Sequence, residues 1–173
     1  HVPGGDWWTG IVAYNPAEFP CTIAIRSYSD TGASLGAETR RIPGGGKYVG
    51  AAGVDLPLPA GTAWIRIDSD RPLTGFELFG AGGRLAAYAG GGGAGTRLGV
   101  FPKIEKSGWT GIAFVNVDAR NTTVTLTAHD DAGGMVATRT LSLGGYAKAV
   151  AGAEDIFPEN IEGLKSALVF SRE

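Results

Sequence analysis

Few residues in this chain have the type and spacing for chemistry. Two acidic turns come first, Asp30 with Gly32 and Asp130-Asp131 with Gly133. A calcium loop supplies roughly six or more oxygens, often from several carboxylates at alternating positions. Each turn here offers one or two, and Asp followed by Gly suits a tight hairpin with a left-handed residue. His129 stands beside Asp130, but no Ser or Cys sits in a nucleophile elbow, so a triad has no local support. The Gly-rich tract at 90–95 is followed by Thr-Arg-Leu-Gly-Val-Phe-Pro, which reads as a strand. A phosphate cradle needs Gly-Lys-Ser/Thr, or a dinucleotide loop, opening a helix. Glu77 lies among Phe76, Leu78 and Phe79, where apolar neighbours would favour its protonated form. Asp68 or Asp70 would be its partner in a glycosidase-like pair, though strand alternation equally lets Glu77 face solvent or cap an edge.

The aromatic residues carry more. In Ala-Trp-Ile-Arg-Ile-Asp, Ala63, Ile65 and Ile67 share one face, and Trp64, Arg66 and Asp68 the other. If the isoleucines face the core, Trp64 and Arg66 form an exposed platform of the kind that binds sugars or proteins. The competing expectation is that Trp64 packs against a neighbouring unit, since large apolar side chains usually find burial. Trp64, Arg66 and Trp7 are the candidate binding residues; no catalytic residue, metal ligand or cofactor is assigned. Asn121-Thr122-Thr123 matches a glycosylation sequon and lies in an expected turn.

Length and composition bound the rest. The 173 residues allow one large or two small domains, and 43% apolar residues suffice for a packed core. Basic and acidic residues number seven and eight over 1–95, and eight and nine over 96–173. Neither half is basic, so nucleic acid is not an expected partner, and no basic amphipathic segment points to a membrane surface. Cys21 is the single cysteine, so no internal disulfide can form and no Cys/His zinc pattern can be written. The chain opens on His-Val-Pro-Gly-Gly and closes on Val-Phe-Ser-Arg-Glu, and reads as a piece of a longer protein.

A shift of 101 residues aligns the chain with itself. Trp8, Thr9, Gly10, Ile11 and Asn15 fall on Trp109, Thr110, Gly111, Ile112 and Asn116. The register continues through Thr22/Thr123, Gly32/Gly133, Gly44/Gly145, Lys47/Lys148 and Pro57/Pro158. It then slips by about two residues, so that Ile65 and Ile67 fall on Leu168 and Phe170. Such a period indicates two domain-sized homologous units, expected at 1–95 and 96–173, rather than a short-repeat solenoid. The second is incomplete, with no counterpart of Arg-Pro-Leu-Thr-Gly-Phe-Glu-Leu-Phe-Gly, and the two units either stand apart or share one sandwich. Trp8, with a counterpart in Trp109, reads as shared core; Trp7, opposite Gly108, is specific to the first unit.

The periodicity is that of strands. Cys21, Ile23 and Ile25 alternate with Thr22 and Arg26, as Val124 and Leu126 do with their neighbours. The first unit reads as about seven strands, and Ala-Glu-Asp-Ile-Phe-Pro as a single helical turn. Short strands with turns every eight to twelve residues make an all-β sandwich. With Phe101-Pro102-Lys103-Ile104, Ser107-Gly-Trp-Thr-Gly-Ile-Ala-Phe-Val-Asn116 and Gly75-Phe-Glu-Leu-Phe-Gly80 in view, the chain resembles a tandem repeat family of long bacterial secreted or surface proteins. Units of that family read roughly Phe-Pro-His-Ile, Gly-Trp-x-Thr-x-Ile and Gly-Phe-Glu-Leu-Phe-Gly. Lys103 stands where that pattern has His, so no ligand role passes to His1. The resemblance implies an extracellular immunoglobulin-like or jelly-roll-like β-sandwich without named catalytic residues. The expected function is a non-catalytic structural or adhesion module whose partners are neighbouring repeats and cell-surface glycan or protein. The alternatives are a carbohydrate- or protein-binding module using exposed Trp64 or an inter-unit cleft, and a hydrolase with a grafted site.

Overall fold

A computed structural model describes residues 6–89, 95, 97–101, 111–158 and 166–172. The Gly tract 90–94, the Phe-Pro-Lys-Ile residues 102–104 and Trp109 lie outside the described residues. The protein is an all-β sandwich fold, and the chain divides into two compact units, His1–Gly92 and Gly93–Glu173.

The first unit contains β1 (Trp8–Tyr14), β2 (Cys21–Tyr28), β3 (Ser34–Ile42), β4 (Lys47–Ala51), β5 (Trp64–Ser69), β6 (Thr74–Ala81) and β7 (Arg84–Ala89). They form two antiparallel sheets of order β4-β1-β6-β7 and β3-β2-β5. Strand alternation sends Ile11 and Ala13 of β1 and Cys21, Ile23 and Ile25 of β2 into the space between the sheets. Ile42 and Leu56 close the core, and Ile65 and Ile67 pack against it. Each fully buried aliphatic side chain of this kind contributes about 1.5–3 kcal/mol. β1 takes a central place because it can bury both edges, with β4 on one side and β6 on the other.

The second unit contains β8 (Leu98–Phe101), β9 (Gly111–Val115), β10 (Thr122–His129), β11 (Met135–Leu143), β12 (Lys148–Gly152), the single-turn helix α1 (Ala153–Ile156) and β13 (Ser166–Arg172). The sheets are β11-β10-β13-β8 and β12-β9. Ile112, Phe114, Val124, Leu126, Ala128 and Phe157 make the core, with Phe101 edge-on to Phe114 at 5.9 Å. The Asp155 carboxylate accepts from the Gly152 backbone N–H and caps α1, which delivers Ile156 and Phe157 to the core.

β10, β11 and β12 have the bounds of β2, β3 and β4 shifted by 101 residues. The detail recurs too. A register shift lies at Ser27/Tyr28 in one hairpin and at Ala128/His129 in the other. Ile25 faces Ile67 across the β2–β5 pair, and Leu126 faces Phe170 across β10–β13.

The most detailed recurrence is a buried asparagine. Asn15 is fully buried; its amide donates to the Phe19 and Pro43 carbonyls at 2.8 and 3.1 Å, and its carbonyl accepts from the Ala17 N–H at 3.1 Å. Asn116, 2% exposed, donates to the Arg120 and Gly144 carbonyls at 2.7 and 2.8 Å and accepts from the Asp118 N–H at 3.1 Å. Each asparagine thus ties the loop after β1 or β9 to the turn before β4 or β12. The approach is close enough to exclude a side chain: a Cβ on Gly44 would fall 1.9 Å from the Glu18 carbonyl oxygen, and one on Gly145 2.0 Å from that of Ala119.

Removing either amide takes a donor from the Phe19 or Arg120 carbonyl and one of two donors from the Pro43 or Gly144 carbonyl, which also accept from the Gly46 and Ala147 N–H groups. Asn15→Ala and Asn116→Ala are each expected to lower stability by about 2–4 kcal/mol in urea titrations. Asn→Asp at either position should be no milder, because it keeps the acceptor, loses both donors and adds a buried charge. A loss under about 0.5 kcal/mol, the scale of an ordinary surface substitution, would remove the lock as a stabilising element.

Candidate functional site

The structure corrects the expected platform at Trp64. The residue lies on the outer face of the β3-β2-β5 sheet, as alternation requires, but it is 6% exposed. Its indole stacks on the Tyr28 ring, centroids 4.5 Å apart and planes 13° apart, because the two residues face each other across β2 and β5. Arg66 is half-exposed and committed: its Nε donates to Asp68 Oδ1 at 2.7 Å, while Arg26 Nε donates to Asp68 Oδ2 at 2.9 Å. Trp7 is half-buried, its ring 6.3 Å from that of Phe79. The three candidate residues therefore do not form one exposed surface.

The other chemical candidates separate as well. Asp68 faces away from the core on β5, bridging its two arginines, while Glu77 lies on β6 of the opposite sheet, in register with buried Ile11. Asp70 accepts from the Thr22 N–H. The Asp130 carboxylate accepts from the Ala132 and Gly134 N–H groups of its own turn, and the Ser29 hydroxyl does the same for Ala33 in the first unit. Gly32 and Gly133 hold φ of 91° and 85°, so both acidic segments are hairpin turns. Among the described residues no three His, Cys, Asp or Glu side chains converge as a metal site would require. A shallow polar pocket of about 350 Å³ is lined by Asn121, Thr122, Thr123, Ser142, Leu143 and Gly144.

What the sequence reading missed is the outer face of the β4-β1-β6-β7 sheet. Trp8 was expected in the core; it is 46% exposed because Thr9, Ile11 and Ala13 take the inward positions. Its face continues across the sheet in registered rows. Val49, Val12, Phe76 and Ala89 form one row; Ala51, Gly10, Leu78 and Ala87 the next; Trp8, Gly80 and Leu85 a third. Val49, Phe76 and Leu85 are 52%, 43% and 66% exposed, and Lys47 at one corner is the charged residue of the face. Contiguous exposed apolar surface of this kind is uncommon on a folded domain. The signal was in the sequence, in the apolar residues that occupy both parities of β1 and β6.

One polar cluster lies on the core side. On β3, Glu38 and Arg40 pair with each other close to Tyr48. The Tyr48 hydroxyl and Glu38 Oε2 are buried without a well-formed hydrogen bond, although Arg40 lies close enough to interact with that hydroxyl. Burial pushes the Tyr48 hydroxyl above its ordinary 10.0, with the charge of Arg40 pulling the other way. The unfolded chain then ionises first, so this contribution to stability is complete below about pH 10 and fades as pH rises through the folded value. Tyr48→Phe should match or exceed wild-type stability at pH 7, by up to about 1 kcal/mol, and lose less than wild type between about pH 9 and 11. A destabilised variant at neutral pH would show that the hydroxyl has a partner.

No protein-family model, curated protein or solved structure matches this chain.

Proposed function

We propose that the chain is a non-catalytic structural and adhesive module of an extracellular or cell-surface bacterial protein, built from two homologous repeats. The observation that carries the docking role is the apolar outer face around Trp8, Val12, Val49, Phe76 and Leu85. The repeat reading is supported by the 101-residue offset of the strands and by the same asparagine lock in both units. The polar groups a hydrolase would need are occupied: Asp68 by two arginines, Asp130 by its own turn. The partner proposed for the apolar face is a neighbouring repeat, for which a second copy of the chain is a practical probe.

A second reading is favoured by one detail. Trp8 and Tyr14, 46% and 39% exposed, project from the same face of β1, and exposed rings on a sheet can stack on sugar faces.

One comparison separates the readings. Immobilised chain is offered a second copy in solution and, in parallel, a glycan array. Copy–copy binding should weaken about tenfold or more in the Val49→Lys/Phe76→Lys variant, because both are exposed members of one apolar row and two charges there would have to be desolvated on docking. The variant should keep its fold, with stability within about 1.5 kcal/mol of wild type. Copy–copy binding that is absent, or indifferent to the two lysines, overturns the neighbour-docking reading. A saccharide hit abolished by Trp8→Ala establishes the glycan reading in its place.

A further inference from the structure

The outer face of the β3-β2-β5 sheet carries two arginines directly opposite each other. Arg26 on β2 is in register with Arg66 on β5. Like charges in such a cross-strand pair repel and weaken the sheet. Asp68, two residues along β5, answers both: Arg26 Nε donates to its Oδ2 at 2.9 Å and Arg66 Nε to its Oδ1 at 2.7 Å. The side chains of Arg26, Arg66 and Asp68 are 50%, 38% and 33% exposed. One carboxylate between two guanidinium groups leaves a single net positive charge at the surface.

The strand pairing itself does not require charge. The equivalent register position in the second unit joins Thr127 and Val169, and Ser171 stands where Asp68 does. The two arginines and their carboxylate belong to the first unit alone, set on a pairing that its homologue makes with neutral residues.

We propose that Arg26 and Arg66 form a binding site for the carboxylate of an acidic sugar, with Asp68 as the residue that positions them. The inference is independent of the apolar face around Trp8 and of the copy–copy reading.

A guanidinium presents five N–H donors in one plane. Each Nε–H is spent on Asp68, which orients the group and leaves its terminal NH2 groups for a further partner. Two such N–H groups match the two oxygens of a carboxylate, and the bonds are charge-assisted. Because Asp68 already holds both side chains, less rotamer freedom is lost on binding. The surface beside the arginines is low: Ala37 faces Arg26 from β3, and Ala24 lies between Thr39 and Asp68 in the next row. A sugar ring seated over these small residues has hydroxyls within reach of a second hydroxyl at Thr39 and of an acceptor at Asp68. The single net charge sets the class of ligand. Nucleic acids and anionic membranes are held by runs of basic residues, whereas one carboxylate on a neutral ring balances one positive charge.

The test titrates the whole, isotope-labelled chain with tetragalacturonate and, separately, with its full methyl ester, which keeps the rings and removes the charge. The acid should shift the Nε–H signals of Arg26 and Arg66 and the amides of Ala24 and Ala37, and bind at least about tenfold more tightly than the ester. Arg26→Thr/Arg66→Val, which copies the second unit, should keep the folded spectrum and bind the acid about tenfold more weakly or worse. Arg26→Lys/Arg66→Lys keeps the charge without the planar fork and should lose most of the binding. Asp68→Asn makes the site more positive, yet should weaken binding about threefold because the forks are no longer held. Trp8→Ala should leave the acid bound as before, so this site and the glycan reading at Trp8 fail separately. No shifts with millimolar tetragalacturonate, equal binding of the ester, full binding by the lysine pair, or the same shifts with acetate at equal carboxylate concentration overturns the proposal. Tighter binding by Asp68→Asn overturns the positioning role.

Discussion

In each unit the side-chain amide of a buried asparagine holds two otherwise separate stretches of backbone at contact distance. Asn15 spans the loop that leaves β1 and the turn that enters β4, and Asn116 spans the loop after β9 and the turn before β12. One planar amide thus supplies donors to carbonyls of both stretches, adding in each unit to a turn bond from Gly46 to Pro43 or from Ala147 to Gly144. The neighbouring glycine exists because of this lock: with a Cβ at Gly44 or Gly145 the two backbones could not come so close. β1 and β4, and likewise β9 and β12, are thereby set side by side, while β2 and β3, or β10 and β11, are delivered to the facing sheet. The inward positions of both sheets then converge on one core. Tyr146, at φ 57°, adopts in the second unit the left-handed conformation that Gly45 takes at 65° in the first. The loop geometry is kept even where its residue is unfavourable, which shows how strongly the surrounding contacts impose it.

With the cores closed in this way, the interest shifts to what the sheets leave uncovered. The first unit has four strands in its β1 sheet and a largely apolar outer face with Lys47 at one corner. Among the described residues the corresponding sheet of the second unit has two strands, β12 and β9.

Much of this was legible in the residues. Alternation placed Cys21, Ile23, Ile25, Val124 and Leu126 on core faces, and all five are buried. The turns at Asp30–Gly32 and Asp130–Gly133, the seven strands of the first unit and the helical turn before Phe157 also follow from local pattern. Asn15/Asn116 and Gly44/Gly145 stood out as matched positions, but their role did not. A buried amide and a close backbone approach are relations between segments about 28 residues apart, and a single sequence records the residues without the distance.

The residues singled out for binding show the same limit. Period-two alternation determined that Trp64 and Arg66 face away from Ile65 and Ile67, and they do. It left open whether that face is wet. Tyr28, which stacks on Trp64, and Asp68, which holds Arg66 and Arg26, settle that locally. For Trp8 the outcome is reversed: both faces of β1 are apolar, and only the position of the second sheet decides that Ile11 is core and Trp8 surface. Sequence alone determined the strands, their faces, their turns and the 101-residue recurrence, because these arise from backbone sterics and neighbours within a few residues. Which face is covered and which carboxylate is neutralised were decided by tertiary structure, because each depends on a partner strand brought in from far along the chain.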